Sequence, residues 1–308
     1  MREPSSNRRQ GLGRLAIRRA AEAAVRNLIA ISGWTAIAVL AAIAIFLFLN
    51  STQAISKLGL GHMLGGTSWF PTSTPPEFGM LPAIVGSLWV TIVAMVVCIP
   101  VGIAAAIYIS EFAPPRSKEL LKTLIEFMAA VPSVVYGLLG LALLVQPIRE
   151  IFHLQSGLSA LTAGLVVGIM ALPTVISISE DALHAVPNDL RQGSLALGNT
   201  RWQTIYKVTV PSAASGIFAG AMLGLGRAIG ETMVVLMLAG NQNIVPLTPF
   251  ASVKTLTGTI AGEMGETIRG GLHFSVLFAM GLVLFVVTFL VNFAADIVLE
   301  RQRRRWRR

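Results

Sequence analysis

Apolar residues run along this chain in long stretches that are separated by shorter polar intervals. An apolar stretch of about 20 residues is long enough to cross a bilayer as a helix. The pattern therefore predicts an all-α polytopic membrane protein with six transmembrane helices. The six stretches cover residues 28–49, 82–109, 124–145, 157–178, 212–238 and 272–298.

Prolines inside three of these stretches predict bent helices. Pro100, Pro132 and Pro173 lie within the second, third and fourth stretches, where each removes a helical hydrogen bond and neighbouring helices satisfy the freed carbonyl. The polar intervals at residues 50–81 and 239–271 are predicted to be loops. The expected organisation is a basic N-terminal segment at 1–27, a first transmembrane helix at 28–49, a five-helix core at 82–298 and a basic tail at 299–308.

Basic residues are concentrated at the ends of the apolar stretches. Of the 308 residues, 54% are hydrophobic and 13% charged, and the formal net charge is +9. Nineteen of the 24 Lys and Arg residues lie before the first stretch, in the second and fourth connections or in the tail, and four lie in the opposite connections. Because basic residues accumulate on the cytoplasmic side, this asymmetry predicts that both termini are cytoplasmic. It also explains the positive charge without a nucleic-acid partner.

The interval at residues 180–211, here called the amphipathic loop, has a regular pattern. Gly198 suits the left-handed turn that ends a helix, and Thr200 and Gln203 have the spacing of a capping box. The loop is predicted to form two short helices with a hinge at the membrane surface, with Pro187 in the first turn and Pro211 opening the next span. Apolar residues recur at helical spacing along one face, at Leu183, Val186, Leu190 and Leu197.

The fifth apolar stretch carries two charged residues. Arg227 and Glu231 lie four residues apart, which places them on one face of a continuous helix where they can pair. A charge inside the membrane costs about 3 kcal/mol and usually faces a cavity or a transport path. The pair is therefore interpreted as the polar lining of a path, with a helix-packing ion pair as the alternative. Close helix approach is predicted from the spacing of the glycines in this stretch, at Gly216, Gly220, Gly224, Gly226 and Gly230.

Three segments of the chain resemble known permeases. The amphipathic loop resembles the cytoplasmic loop of bacterial ABC-importer permeases, with Gln192-Gly193-Ser194 at its opening, Gly198 at its glycine and Val208-Thr209-Val210-Pro211 at its end. Glutamine and glycine replace the acid and the first alanine of that pattern. The decapeptide at residues 224–233, GLGRAIGETM, is similar to the fifth transmembrane helix of phosphate-importer permeases of the PstC type. The octapeptide at residues 130–137, AVPSVVYG, resembles a signature of the PstC and PstA types.

The resemblance implies the type I ABC-importer permease fold, and a transmembrane subunit of an ATP-driven importer of inorganic phosphate in the bacterial cell membrane. The implied partners are a sister permease of the PstA type, two ATPase subunits, an extracytoplasmic phosphate-binding protein and the lipid bilayer. Arg227 and Glu231 are then assigned to the substrate pathway, where a guanidinium matches phosphate oxygens. Glu231 either accepts the phosphate proton or positions Arg227, and both roles stay open. Coupling to the ATPase is assigned to Arg191, Gln192, Gly193, Ser194, Leu197 and Gly198.

The sequence also limits the activities and cofactors expected of this chain. It contains no Walker A phosphate loop, so ATP hydrolysis is expected on a separate chain and this chain is not expected to be an enzyme. Cys98 is the only cysteine, and the four histidines lack metal-ligand spacing, so neither a metal nor a cofactor is expected. The alternatives are a permease for molybdate, sulfate or phosphonate, an ATP-independent secondary anion transporter, and a membrane scaffold. The absence of an internal repeat disfavours the secondary transporter.

Overall fold

A computed structural model describes residues 5–306 of the chain, with side-chain surroundings for residue 22, residues 24–297 and residue 300. Residues 1–4 of the predicted N-terminal segment and residues 307–308 of the predicted tail lie outside the described residues. The structure divides into two units, one ending at Asn50 and one beginning at Ser51. All sites discussed below belong to the second unit.

The described chain is almost entirely helical. Its α-helices are α1 (Ser5–Leu58), α2 (Leu60–Gly65), α3 (Leu81–Ile107), α4 (Pro115–Ala130), α5 (Ser133–Leu143), α6 (Val145–Ile151), α7 (Ala160–His184), α8 (Asn188–Ala196), α9 (Arg201–Thr204), α10 (Val210–Ile229), α11 (Met233–Leu238), α12 (Leu256–Glu263) and α13 (Leu272–Trp306). Short π-helices occupy Tyr108–Phe112 and Ile205–Thr209, and a 3-10 turn occupies Met264–Glu266. Strands β1 (Trp69–Phe70) and β2 (Glu77–Phe78) form an antiparallel hairpin that pairs Trp69 with Phe78 and Phe70 with Glu77.

Five of the six predicted spans are present as helices, and their boundaries and shapes differ from expectation. Five helical segments are long and apolar enough to cross a membrane, and a sixth span is possible if a bent helix pair is counted as one. The five segments are Ala24–Leu58, Leu81–Phe112, Ala160–His184, Arg201–Ile229 and Leu272–Ile297. Helix α1 runs from Ser5 to Leu58, so residues 5–27 of the predicted basic segment and the first span form one continuous helix.

Only one of the three proline-containing spans is broken at its proline. Helices α4 and α5 meet at Val131 and Pro132 with a bend of 95°. Helices α3 and α7 instead run through Pro100 and Pro173 without a break. The proline ring removes one amide in each case, but only at Pro132 does the chain turn into a new direction.

Helix α7 lies at the centre of the second unit, between α3 and α10. Glycines allow the backbones to approach closely: a Cβ on Gly164 would lie 2.6 Å from Val93 Cβ, and one on Gly224 would lie 2.6 Å from Val175 Cγ2. The predicted role of the glycines in α10 is therefore confirmed for Gly224, as it is for Gly216 and Gly220, which also face α7. It is not met at Gly226 and Gly230, where an added Cβ would meet no atom of another helix within 4 Å among the described residues.

The two intervals predicted to be loops are ordered and partly buried. The interval 50–81 contains the end of α1, helix α2 and the β-hairpin, whose Trp69 is 1% exposed. The interval 239–271 contains a β-bridge between Gly240 and Val253, followed by α12. Its polar residues Lys254 and Thr255 are buried. Side-chain hydrogen bonds inside the protein compensate for this burial, and such distant partners cannot be read from local sequence.

Candidate transport and coupling sites

The fifth apolar stretch is divided into two helices at the charged motif. Helix α10 ends at Ile229 and α11 begins at Met233, so the prediction of a single helix over residues 212–238 is wrong. The carboxylate of Glu231 explains the break, because its Oε1 accepts hydrogen bonds from the backbone amides of Met233 at 3.1 Å and Val234 at 3.2 Å. In a continuous helix those amides would bond to the carbonyls four residues earlier.

Arg227 lies in the last turn of α10 and is half-buried. Among the described residues it forms neither an ion pair nor a hydrogen bond. The predicted pairing of Arg227 with Glu231 is therefore absent, because the Glu231 carboxylate is engaged by the start of α11. The Tyr136 side chain of α5 lies within electrostatic range of the Arg227 guanidinium.

The helix that follows the bend of the third span, α5, packs against the helix that follows the break of the fifth, α11. A Cβ on Gly137 would lie 2.6 Å from Met237 Sδ, and one on Gly140 would lie 2.6 Å from Leu238 Cδ1, so these glycines favour the close approach of α5 to α11. The Tyr136 hydroxyl donates a hydrogen bond of 2.8 Å to the Met128 carbonyl, which joins the two sides of the bend. The segments at 130–137 and 224–233, which were singled out separately in the sequence, therefore lead into two helices that pack against each other.

A third segment, α12, contacts the break from the interval 239–271. Thr257 is 8% exposed, and its hydroxyl donates a hydrogen bond of 2.8 Å to the backbone carbonyl of Glu231. The start of α12 is fixed to α3 by a bond of 2.9 Å from the Leu256 amide to Ser87 Oγ. Sequence reasoning missed Thr257, because nothing local in a presumed loop indicates a partner 26 residues away.

A buried polar cluster holds the other end of α12. The carboxylate of Glu263 accepts hydrogen bonds from Trp69 Nε1 at 3.0 Å and from Lys254 Nζ at 2.7 Å, and it lies 2.9 Å from His273 Nε2. These contacts connect the β-hairpin, the segment before α12 and the start of α13. The segment that supports Glu231 is thereby anchored at both ends.

The amphipathic loop forms the two short helices that its sequence predicts. Gly198 has a φ of +85° and ends α8. Thr200 and Gln203 form the capping box at the start of α9, with the Gln203 amide 3.2 Å from Thr200 Oγ1 and the Thr200 amide 2.8 Å from Gln203 Oε1. Pro187 precedes α8 as its cap residue, one position before the expected first turn.

The ends of the amphipathic loop differ from the prediction. Helix α7 extends to His184, and α9 continues through the π-helix into α10, so Pro211 lies inside a continuous span and does not open one. The apolar residues do not share one buried face: Leu183 and Val186 are buried, whereas Leu190 is 48% and Leu197 86% exposed. The exposed tip is therefore partly apolar.

The six residues assigned to ATPase coupling divide into two groups. Arg191 and Ser194 face inward. The Arg191 guanidinium donates to Glu111 Oε1 at 3.0 Å and to the Leu183 carbonyl at 2.8 Å, and Ser194 Oγ lies 2.9 Å from Thr204 Oγ1. The other four are exposed on the tip, and they are Gln192, Gly193, Leu197 and Gly198. The inward pair holds the loop in shape, and the outward group forms the surface that a partner could contact.

A second ion-pair cluster fixes α4 to the end of α7. The carboxylate of Glu180 is 2% exposed and lies 2.9 Å from Lys118 Nζ and 2.7 Å from Lys122 Nζ. Lys118 and Lys122 lie one helical turn apart, and this spacing is the signal that could have indicated a shared partner. The cluster connects the start of the amphipathic loop to the bent α4–α5 pair.

Comparison with known proteins gives the class of this chain. Residues 98–308 match the family model described as the binding-protein-dependent transport system inner membrane component. The chain therefore belongs to this family of membrane transport subunits, which are not enzymes. The predicted class and membrane location are confirmed, whereas the side on which the termini lie stays a prediction.

Three individual relatives align with most of this chain. It is 43% identical to the probable ABC transporter permease protein YqgH of Bacillus subtilis (strain 168) over 82% of this chain and 83% of that protein. It is 36% identical to the phosphate transport system permease protein PstC of Mesorhizobium japonicum over 85% of each chain. It is 33% identical to PstC of Haemophilus influenzae, over 86% of this chain and 88% of that one.

Solved structures support the type I importer fold. The transporter that imports alginate, solved with an alginate-bound periplasmic protein, matches with a TM-score of 0.59 at 16% identity, covering 87% of this chain and 94% of that one. The inward-facing MetNI methionine ABC transporter matches with a TM-score of 0.56 at 18% identity, covering 71% and 94%. At these identities the comparison defines the fold alone.

Proposed function

We propose that this chain is the transmembrane permease subunit of an ATP-driven importer of inorganic phosphate. Its relatives named as phosphate permeases align over most of both chains. The observation that carries the proposal is Arg227, a half-buried guanidinium at the end of α10 without an internal counter-ion among the described residues. A fixed cation inside the membrane that no carboxylate neutralises is suited to an anionic substrate.

Half of a translocation pathway is assigned to the region where α5, α10 and α11 meet. Non-helical backbone within a membrane is tolerated where it lies against protein or a water-filled cavity. Two such breaks, at Pro132 and at Gly230–Thr232, directly precede α5 and α11, which pack against each other. Discontinuous helices of this kind surround substrate sites in other transporters. Glu231 is assigned to the same pathway through its control of the second break.

The amphipathic loop is proposed to couple the pathway to a separate ATPase. Its exposed tip presents Leu197 and Leu195 beside Gln192 and Gly193, and a short amphipathic helix of this kind fits a groove on another protein. Arg191 and Ser194 keep α8 and α9 in the docking geometry. The proposed partners are two ATPase subunits, a sister permease of the PstA type and an extracytoplasmic phosphate-binding protein.

Uptake by a reconstituted complex tests the proposal. The chain would be assembled with its proposed partners in proteoliposomes, and ATP-dependent uptake of phosphate, sulfate and molybdate would be measured. We expect uptake of phosphate, and we expect Arg227→Gln to reduce it about 10- to 100-fold, the value of a charge-assisted hydrogen bond of about 1.5–3 kcal/mol. Arg227→Lys should retain part of the activity, because it keeps the charge but not the planar fork.

Arg149 provides a matched control. It is exposed on α6, and Arg149→Gln removes one positive charge away from the two breaks. Normal phosphate uptake in Arg227→Gln, at normal membrane levels, would remove Arg227 from the pathway. Uptake of sulfate or molybdate in place of phosphate would favour the alternative oxyanion importer.

A further inference from the structure

The break at Gly230–Thr232 resembles a helix whose hydrogen bonds have been taken over by side chains. Gly230 has φ −84° and ψ −3°, and Thr232 has φ −117° and ψ −53°, so both are already near the right-handed helical region. Glu231 Oε1 binds the amides of Met233 and Val234. The Gly230 carbonyl, which Val234 would reach in a continuous helix, accepts from Thr232 Oγ1 at 3.3 Å.

Thr257 completes this set from another segment. Its hydroxyl donates to the Glu231 carbonyl at 2.8 Å, so a buried residue of α12 stabilises the backbone of the break. An unsatisfied carbonyl at this depth would be costly. The segment carrying Thr257 is itself anchored through Lys254 and Glu263, which gives the hydroxyl a defined position.

Closing the break would bring the two charged residues together. If the amides of Met233 and Val234 returned to the carbonyls four residues earlier, the Glu231 carboxylate would be released. It would then lie one helical turn from Arg227, at a spacing that favours an ion pair. The four-residue spacing in the sequence and the separated arrangement in the structure would thus describe two states of one segment.

We propose that Thr257 is a positioning residue that holds Glu231 away from Arg227, and that closure of the break lets Glu231 compete with the bound anion for Arg227. This inference rests on the proposed phosphate-import function and adds a release step to it. In the broken state the Arg227 charge is available to the anion. In the closed state Glu231 replaces the anion on Arg227, so the anion leaves without the guanidinium losing a counter-ion.

The kinetics of Thr257→Val in the reconstituted complex test this role. Valine keeps the shape of threonine but cannot donate a hydrogen bond to the Glu231 carbonyl, so a larger share of the molecules adopts the closed state. Because only the broken state binds phosphate through Arg227, the apparent affinity for phosphate falls in proportion to the share of molecules in the broken state. We expect KM for phosphate to rise roughly 3- to 10-fold, with a smaller change in the maximal rate. Thr257→Ser retains the hydroxyl and should restore KM to near the original value.

A second substitution separates positioning from general stability. Glu231→Gln keeps an oxygen that can cap α11 but removes the charge that competes for Arg227. The double variant Glu231→Gln, Thr257→Val should therefore have the same KM for phosphate as Glu231→Gln alone. An equal rise of KM with and without the carboxylate would show that Thr257 acts through packing alone and would overturn the inference.

Two further variants keep the test decisive. Thr259→Val is the control, because Thr259 is also buried on α12 but donates its hydrogen bond to the carbonyl of Thr255, the N-cap of the same helix; it should leave KM unchanged. Thr232→Val removes the second hydroxyl at the break and should raise KM in the same carboxylate-dependent way, even if Thr257→Val fails to assemble.

If the unsubstituted complex imports phosphate but neither valine variant raises KM, this inference fails alone. If the unsubstituted complex imports no phosphate, the proposed function fails.

Discussion

Gly198 shows how one backbone angle shapes the exposed tip of the amphipathic loop. Its φ of +85° lies in the left-handed region, and no atom lies within 4 Å of the position that a Cβ would take. A side chain at Gly198 would therefore meet no steric obstacle, and its cost would come from the backbone conformation alone, about 1–2 kcal/mol.

We predict that Gly198→Val inserts into the membrane normally but uncouples ATP hydrolysis from uptake, because α8 would end in a different direction. The measurement is the number of ATP molecules hydrolysed per phosphate imported by the purified complex. Gly265→Val is the control, since that glycine also lacks neighbours but has no positive φ. An unchanged ratio for Gly198→Val would contradict the coupling role of the tip.

Arg191 and Ser194 show the limit of assigning roles from a motif. The sequence resemblance assigned both to ATPase coupling, but the Arg191 guanidinium and the Ser194 hydroxyl form hydrogen bonds within the protein. The partner of Arg191, Glu111, lies 80 residues earlier, at the end of the second span. Spacing within the loop indicated where these residues lie, but only the tertiary structure shows what they contact.

At the scale of elements, the sequence predicted features whose causes are local. The lengths of the apolar stretches, the turn at Gly198 and the Thr200–Gln203 capping box all follow from neighbouring residues. The break at Gly230–Thr232 could not be predicted in this way, because Glu231 has two competing uses: pairing at helical spacing, or capping a new helix. Tertiary contacts, among them the Thr257 hydrogen bond, stabilise the capping arrangement.

The attachment of α4 to α7 gives a stability prediction. Glu180→Gln removes the buried carboxylate and leaves two partly exposed lysines without a partner. We expect a loss of about 1–3 kcal/mol, less than for a fully buried pair because water screens the lysines. The measurement is the thermal unfolding of the purified complex in detergent.

Removing all three charges supplies the comparison. The combined variant Lys118→Met, Lys122→Met and Glu180→Gln leaves no unpaired charge, and it should recover much of the lost stability. If the combined variant is less stable than Glu180→Gln alone, the lysines stabilise α4 by some means other than the carboxylate.

At the scale of the whole second unit, polar contacts hold both ends of the α3 span. The Glu263 cluster packs under the hairpin that precedes α3, and Glu111, at the far end of the same span, binds Arg191 of the amphipathic loop. The bend at Pro132 and the break at Glu231 lie in spans three and five.

Labelling of single cysteines tests the orientation that the positive charges predict. The parent protein would carry Cys98→Ser, because Cys98 is the only native thiol. Cysteines at Thr74, on the hairpin side, and at Asn243 should react with a membrane-impermeant thiol reagent added outside cells stripped of any outer barrier. A cysteine at Asn199 in the amphipathic loop should react only after the membrane is permeabilised. Labelling at Asn199 in intact cells would reverse the topology.

The bent third span has a consequence for how the protein is made. Helix α4 carries charged side chains along its length, and α5 has only 11 residues, so neither is long or apolar enough to be retained in a bilayer by itself. The elements that support α5, α7 and α11, are synthesised after it. During translation the third span therefore acquires these contacts only after the chain has been extended to about residue 238. The bent shape of this span is thus stabilised by parts of the protein that do not yet exist when it first emerges from the ribosome.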